Sequence, residues 1–184
     1  MSTVFIGGSR TISRLPKRVE ERLNTIVSNG FKIVVGDATG ADKAVQKYLL
    51  NRSYKKVSVF CSGDSCRNNL GNWEPQFVKP SKARTGFQFY AAKDREMALA
   101  ADFGLMIWDG ESPGTVLNVL RLVHAGKKAV LFNAPEEKTL SFKAPTDWET
   151  FISHCSLELL ESLRNRASAE ELVFLETSKQ KSFL

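Results

Sequence analysis

The chain has 184 residues, of which 42% are hydrophobic and 25% charged; this is typical of one soluble globular domain and short for two. No apolar run approaches the roughly 20 residues that cross a membrane, and the first residues lack the basic-then-apolar pattern of a secretory signal. We therefore expect a cytoplasmic protein without a membrane partner. The net charge of +6 divides into +9 on residues 1–132 and −3 on residues 133–184, which favours an anionic ligand.

Strand and helix patterns alternate through the first 132 residues. Short apolar runs predict strands at residues 3–6, 32–35, 57–61, 103–108 and 128–132. Apolar residues at helical spacing predict helices at residues 15–28, 39–50, 89–101 and 114–125. Helical crossovers between parallel strands are right-handed, so this order predicts the α/β class: a Rossmann-like open parallel sheet of about five strands with helices on both faces.

Residues 62–87 interrupt this alternation. They are rich in Gly, Asn, Ser and Pro and show no sustained period, which predicts a mobile lid and not a structural element. Their net charge of +2 would favour closing over a phosphate. The side chains of Trp73, Arg84, Phe87 and Tyr90 could stack on a base, or could pack this loop onto the domain.

The three cysteines predict reduced thiols. Cys61, Cys66 and Cys155 are an odd number and do not make a disulfide framework. Cys61-x4-Cys66 has no second cysteine pair, so we expect no metal site.

From residue 133 the pattern becomes that of a C-terminal helical extension, residues 133–184, packed on the core. Residues 133–147 predict an extended connection, and residues 148–163 predict one helix or a pair of helices. Ser168, with Glu171 three residues later, predicts the capping box of a last helix. The extension would cover the sheet or, alternatively, bind a partner.

Three glycine-rich turns follow predicted strands. They are Gly7-Gly8-Ser9-Arg10, Gly36-Asp37-Ala38-Thr39-Gly40 and Asp109-Gly110-Glu111-Ser112-Pro113-Gly114-Thr115. A strand, a glycine turn and a helix aim backbone N–H groups and the positive end of the helix dipole at one point, which suits a phosphate. Because parallel strands end at the same edge of a sheet, we expect these turns to form one phosphate site.

The candidate ligand-binding residues are Gly7, Gly8, Ser9, Arg10, Gly36, Gly40, Asp42, Lys93, Asp109, Gly110, Ser112, Gly114 and Thr115. Arg10 would meet the phosphate, and the Thr115 hydroxyl would donate to it or cap its own helix. Asp42 and Asp109 are candidates for ribose hydroxyls, although Asp42 would also suit the dipole of its helix. Asp94 is the candidate catalytic residue, as a general base. The chain has no Gly-Lys-Ser/Thr P-loop, which argues against an ATPase.

Four segments together resemble the nucleotide-binding SLOG superfamily of Rossmann-like proteins. They are Gly7-Gly8-Ser9-Arg10, Gly36-x3-Gly40-Ala41-Asp42, Lys93-Asp94-x2-Met97 with Ala101-Asp102, and Trp108-Asp109-Gly110-x-Ser112-x-Gly114-Thr115. The superfamily includes the LOG phosphoribohydrolases and the DNA-processing protein DprA, and the YspA/YpsA-related branch is the most similar. The resemblance implies a nucleotide ligand and spans residues 3–132, without the segment 62–87.

The chain departs from the LOG pattern at two places. Where those enzymes have a glutamate implicated in N-glycosidic cleavage, this chain has Asn118, whose amide does not exchange a proton at neutral pH as a carboxylate does. Where they have an Arg-Lys pair, it has Lys93 and Asp94, of which Lys93 could neutralise a phosphate. The resemblance therefore implies a ligand more strongly than a reaction.

We expect the protein to bind a nucleotide or a nucleotide-derived ligand for sensing or carriage, as a homodimer like many members of the superfamily. The one candidate cofactor is a bound nucleotide. The first alternative is an enzyme acting on a nucleotide's N-glycosidic bond, with Asp94, Asp109 or Glu111 in place of the glutamate. The second is DprA-like nucleic-acid binding. The basic residues are dispersed and not interleaved with aromatics, so we expect no nucleic-acid partner.

Overall fold

A computed structural model describes residues 1–79 and 86–181, in which seven strands form one sheet. The strands are β1 (Thr3–Gly8), β2 (Lys32–Gly36), β3 (Val57–Ser62), β4 (Glu74–Val78), β5 (Phe103–Trp108), β6 (Lys128–Asn133) and β7 (Lys138–Phe142). Their order across the sheet is β4-β3-β2-β1-β5-β6-β7, and every pair is parallel except β6 with β7. The predicted α/β class with an open, mostly parallel sheet is confirmed.

Helices cover both faces of this sheet. They are α1 (Lys17–Ser28), α2 (Ala41–Asn51), α3 (Gly86–Ala100), α4 (Pro113–His124), α5 (Pro145–Ser153), α6 (Leu157–Arg166) and α7 (Ala169–Lys181). Alternate residues of each strand point to opposite faces. Val4 and Ile6 of β1 therefore pack with α1 and α2, whereas Phe5 packs in a second core with α3 and α4.

Two strands were not predicted from the sequence, and both lie at the edges of the sheet. β4 falls inside residues 62–87, so the prediction that this segment has no structural element is wrong for Glu74–Val78. β7 falls inside the predicted extended connection. Edge strands bury little, and β4 also contains Pro75, which is tolerated only at a sheet edge. Both strands therefore lack the apolar pattern of a buried strand.

Four side chains in or beside residues 62–87 were predicted either to stack on a base or to pack this loop onto the domain. Trp73 is buried and its Nε1 donates to the Tyr54 carbonyl over 2.8 Å, so this aromatic packs the segment onto the domain. Phe87 and Tyr90 belong to the first turns of α3. Arg84 lies outside the described residues.

The C-terminal extension packs on α4. Its first predicted helical region is a pair of helices, α5 and α6, and Leu160, Leu163 and Leu175 share one hydrophobic core with α4. The predicted capping box is confirmed, because Ser168 N donates to Glu171 Oε2 over 2.7 Å and Glu171 N donates to Ser168 Oγ over 3.3 Å. No helix among the described residues is long and apolar enough to cross a membrane.

The prediction of reduced thiols is wrong for two of the three cysteines. Cys61, in β3, and Cys66 form a disulfide with their Cα atoms 5.0 Å apart. The chain turns back directly after β3, and this return places Cys66 beside the strand. The sequence shows only that four residues separate the two cysteines, and this spacing does not predict the turn.

Candidate functional site

The glycine turns after β1 and β5 meet at a cavity of about 160 Å³ at the carboxyl ends of these strands. The predicted site residues that line the cavity are Gly7, Gly8, Ser9, Arg10, Asp42, Lys93, Asp94, Ser112, Gly114 and Thr115. They come from separate turns and from three helices. The structure therefore brings most of the predicted residues together around one space.

Ser9 joins the three turns to one another. Its N–H donates to the Ile107 carbonyl over 2.9 Å, and its carbonyl accepts from Ala41 N at the start of α2 over 3.1 Å. Its hydroxyl lies 3.1 Å from Thr115 Oγ1. The preceding Gly8 must be glycine, because a Cβ there would overlap with the Ile107 carbonyl oxygen. These closely packed backbone segments form one side of the cavity.

Gly36 and Gly40, two of the predicted ligand-binding residues, do not line the cavity. Each leaves space for residues that do. A Cβ on Gly36 would overlap with Asp42 Oδ2 and lie 2.7 Å from Lys93 Nζ. Gly40 has a φ of 74°, and a Cβ there would overlap with the Arg10 carbonyl. Both glycines therefore allow close packing below the site.

Asp109 and Gly110 shape the turn after β5 and also stay outside the cavity. Asp109 accepts hydrogen bonds from Thr11 Oγ1 over 2.6 Å and from the Ser112 hydroxyl over 2.7 Å. Partial burial raises the pKa of Asp109, but these hydrogen bonds and those from the backbone N–H groups of Ser112 and Glu111 lower it more, to about 2. Gly110, with a φ of 86°, lies beside Asn133 on the far side of the turn.

The N-terminus of α4 faces the cavity without a side-chain cap. Ser112 is the N-cap residue, but its hydroxyl donates to Asp109 and makes no capping hydrogen bond. Pro113 has no N–H, so the first N–H groups of the helix are those of Gly114 and Thr115. Among the residues that the structure describes, a Cβ on Gly114 would meet Phe87 alone, at 3.6 Å. This helix end is therefore open toward a ligand.

A buried lysine lies among carboxylates at one side of the cavity. Lys93 is only 3% exposed, and its Nζ donates to Asp94 Oδ1 over 2.7 Å. Burial lowers the pKa of Lys93, but Asp94 and Asp42 raise it more, so the lysine is charged. Burial raises the pKa of Asp42 to about 6, against the opposing effect of Lys93. Asp42 is therefore a carboxyl that titrates near neutral pH beside the cavity.

Arg67 also lines the cavity, although the sequence indicated only a charge in a loop. Its guanidinium holds buried Asp37 with two contacts, Nη2 to Oδ1 at 2.6 Å and Nε to Oδ2 at 3.2 Å. Its Cζ lies 4.3 Å from the centroid of the Tyr90 ring, and that of Arg10 lies 5.5 Å from the same ring. In the sequence, the only indication of such an arginine partner was Asp37, the aspartate directly after β2.

Asn118 reaches the cavity from α4 and is held by the C-terminal extension. Its Oδ1 accepts from Arg121 Nη1 over 2.5 Å, and Arg121 Nε donates to Glu171 Oε1 over 2.7 Å. Glu171 of α7 also pairs with Arg95 of α3 at 2.9 Å. With its oxygen engaged, Asn118 presents the cavity with its amide nitrogen as a donor.

The C-terminal extension also contributes Arg166 of α6 to the cavity. It lines the cavity, and its Cζ lies 5.3 Å from the centroid of the Phe87 ring. Nothing in the local sequence pattern indicated this role, because Arg166 lies far along the chain from every glycine turn.

No protein-family model matches the chain, and no curated protein matches it. The resemblance to the SLOG superfamily is therefore a proposal. Four cationic side chains, two carboxylates and the hydroxyl-bearing residues of the turns after β1 and β5 all border this one cavity.

Proposed function

We propose that the protein binds a nucleotide or a nucleotide-derived ligand, in a sensing or carrier role, with a phosphate at the carboxyl ends of β1 and β5. The observation that carries this proposal is the uncapped first turn of α4, open toward the cavity at Gly114. A phosphate would accept from the N–H groups of that turn and would meet the positive end of the helix dipole.

The distribution of charge supports an anion in this cavity. Lys93 and Arg67 are already paired with carboxylates. Arg10 and Arg166 also line the cavity and form no salt bridge with any residue that the structure describes. Two guanidinium groups without a carboxylate partner would neutralise a phosphate monoester at the cavity mouth.

Aromatic rings at the mouth support a base-bearing ligand. Phe87 and Tyr90 both line the cavity, and each lies close to an arginine guanidinium. Flat rings and guanidinium planes are the groups on which a nucleobase stacks. The proposed ligand thus has its phosphate at α4 and its base beside α3.

This proposal predicts that adenosine 5′-monophosphate will shift the backbone amide NMR signals of Ser9, Gly114 and Thr115 in one saturable titration. Adenosine, which lacks the phosphate, should leave these three signals in place, because they report on the phosphate position. Inorganic phosphate should compete with the nucleotide for them. Equal shifts with nucleoside and nucleotide would contradict a phosphate at α4.

We also propose that the protein is a cytoplasmic homodimer without a nucleic-acid partner. The Cys61–Cys66 disulfide counts against the location, since reducing compartments keep thiols reduced. The cationic groups of the site converge on a cavity and not along a strand-length groove, which favours a small ligand. Native mass spectrometry of the purified protein would report both a co-purified ligand and the subunit number.

A second candidate function is cleavage of a nucleotide's N-glycosidic bond. One observation favours it: Asp42, with a pKa of about 6, and Asp94 both line the cavity. A carboxyl that titrates near neutrality suits general acid–base catalysis. The asparagine at position 118 argues for binding without efficient turnover.

We expect Asn118→Glu to create or raise the release of base from a nucleoside monophosphate by about 100-fold, the low end of the usual effect of a general acid or base. Arg121, whose Nη2 is buried without a hydrogen-bond partner among the described residues, would pair with the new carboxylate. The measurement is chromatographic detection of free base, with Asn118→Gln as the size-matched neutral control. A wild-type turnover of about 1 per second or faster would show instead that the protein is an enzyme.

A further inference from the structure

The Cys61–Cys66 disulfide lies next to a residue of the proposed phosphate site. Cys66 directly precedes Arg67 in the chain, and Arg67 lines the cavity. The bond closes a loop with only four intervening residues. A disulfide restricts the unfolded chain least when its loop is short, so we expect the main effect of this bond on the residues beside it.

The two bonded cysteines differ in their freedom to move. Cys61 is completely buried in the core that β3 forms with α1 and α2. Cys66 is partly exposed, and the residues between the two cysteines include exposed Asp64 and Ser65. Two separate thiols cannot stay at the distance of a covalent bond, because van der Waals repulsion holds their sulfur atoms apart. Reduction should therefore move Cys66 away from the strand and leave Cys61 in place.

Arg67 depends on the position of Cys66 because the two residues share a peptide group. The Arg67 N–H donates to Asp37 Oδ2 over 3.0 Å, in addition to the two guanidinium contacts with Asp37. The next residue is held separately, since Gln46 Nε2 of α2 donates to the Asn68 carbonyl over 3.2 Å and Asn68 Nδ2 donates to the Asp37 carbonyl over 2.9 Å. A displacement of Cys66 would therefore reach Arg67 and end at Asn68.

Loss of the Arg67 contacts would change the charge beside the cavity. Asp37 is buried; burial raises its pKa, but the hydrogen bonds from Arg67 lower it more, so the carboxylate is ionised. Lys93, the other cation near Asp37, already pairs with Asp94. The cavity would lose one cation, and a buried carboxylate beside it would lose its hydrogen-bonded partner. Both changes weaken the binding of an anion.

We propose that the Cys61–Cys66 disulfide is a reversible redox switch, which holds Arg67 at the cavity when oxidised and lowers the affinity for a nucleotide when reduced. This inference rests on the proposed nucleotide function. It is compatible with the proposed cytoplasmic location, because disulfides in reducing compartments are usually transient and serve catalysis or redox sensing. The structure describes the oxidised state.

The switch requires a dithiol reductant as its co-reactant. One thiolate of the reductant attacks the sulfur of partly exposed Cys66, and the bond to Cys61 breaks. Cys61 leaves with the bonding electron pair and takes up a proton. The second thiolate of the reductant then attacks the reductant sulfur bonded to Cys66, which leaves and is protonated in turn. The protein gains two electrons and two protons, and the reductant becomes a disulfide.

The test compares the oxidised protein with the folded protein reduced by dithiothreitol. Alkylation in denaturant, measured by mass spectrometry, should show two more reactive thiols after reduction. The NMR signal of the Arg67 Nε–H group should shift in the absence of ligand. The affinity for adenosine 5′-monophosphate should fall about tenfold, the low end for one hydrogen bond to a charged group, and should recover on reoxidation.

Two cysteine variants separate the effect of this bond from other effects of the reductant. Cys66→Ser should bind adenosine 5′-monophosphate as weakly as the reduced protein and should not respond to dithiothreitol. Cys155→Ser, at the third cysteine, is the matched control and should keep both the wild-type affinity and the full response. Circular dichroism would show whether each variant is folded, and the wild-type comparison does not depend on either of them.

Three results would overturn the switch. They are a disulfide that dithiothreitol leaves intact in the folded protein, an Arg67 signal that reduction does not move, and equal, measurable nucleotide affinity in the two redox states. Absence of nucleotide binding in both states would instead overturn the proposed function, and the Arg67 signal would still decide whether the bond positions this residue. The two proposals can therefore fail separately.

Discussion

Gly114→Val is expected to abolish nucleotide binding and to leave the protein folded. Of residues 1–79 and 86–181, a Cβ at this position would meet Phe87 alone, at 3.6 Å, so the valine methyl groups would occupy the cavity in front of the α4 N-terminus. Valine is also a better helix former than glycine, so the helix itself should not weaken. We expect affinity for adenosine 5′-monophosphate to fall at least about 100-fold, or about 2.7 kcal/mol. Isothermal titration calorimetry would measure the affinity, and circular dichroism the fold.

Thr146→Val is a matched control for this variant. Thr146 follows Pro145 at the second position of α5, as Gly114 follows Pro113 in α4, but it is exposed and does not line the cavity at the ends of β1 and β5. Its substitution should leave nucleotide affinity unchanged. Full affinity in a folded Gly114→Val protein would sink the phosphate-site hypothesis.

Glu171→Gln should destabilise the protein by about 3 kcal/mol, the low end for breaking a buried ion pair. Glu171 is 5% exposed and joins Arg95, Arg121 and the Ser168 backbone, which tie α7 to α3 and α4. Its removal would leave Arg121 buried without a carboxylate. Urea unfolding measures the effect, and Glu170→Gln, at the exposed neighbouring position, should change stability by less than about 0.5 kcal/mol.

The pH dependence of stability gives an independent check on Glu171. Burial raises its pKa, but Arg121 and Arg95 lower it more, from 4.5 to about 2. A carboxyl whose pKa is lowered on folding contributes stability above its unfolded pKa, and this contribution is lost as pH falls from about 5 toward 2. Wild-type stability should decline in that range, whereas the decline should be smaller in Glu171→Gln. Identical pH profiles would show that the ion pairs contribute nothing.

The sequence alone determined the parts of the site that depend on the backbone. Short apolar runs followed by glycine turns predicted β1, β2 and β5 and the edge at which they end. Local chemistry was enough here, because only glycine permits the approach of Gly8 to Ile107 and the conformation of Gly40. The capping box of Ser168 and Glu171 was predictable for the same reason, since its hydrogen bonds span three residues.

Only the tertiary structure decided which side chains surround the ligand space. Arg67, Arg166 and the Asn118–Arg121–Glu171 chain come from segments far apart in sequence, and no local pattern encodes such distances. The edge strands β4 and β7 were missed because they bury too little to show an apolar period. The Cys61–Cys66 disulfide could likewise be recognised only in the fold, because it depends on the turn that brings Cys66 back beside β3.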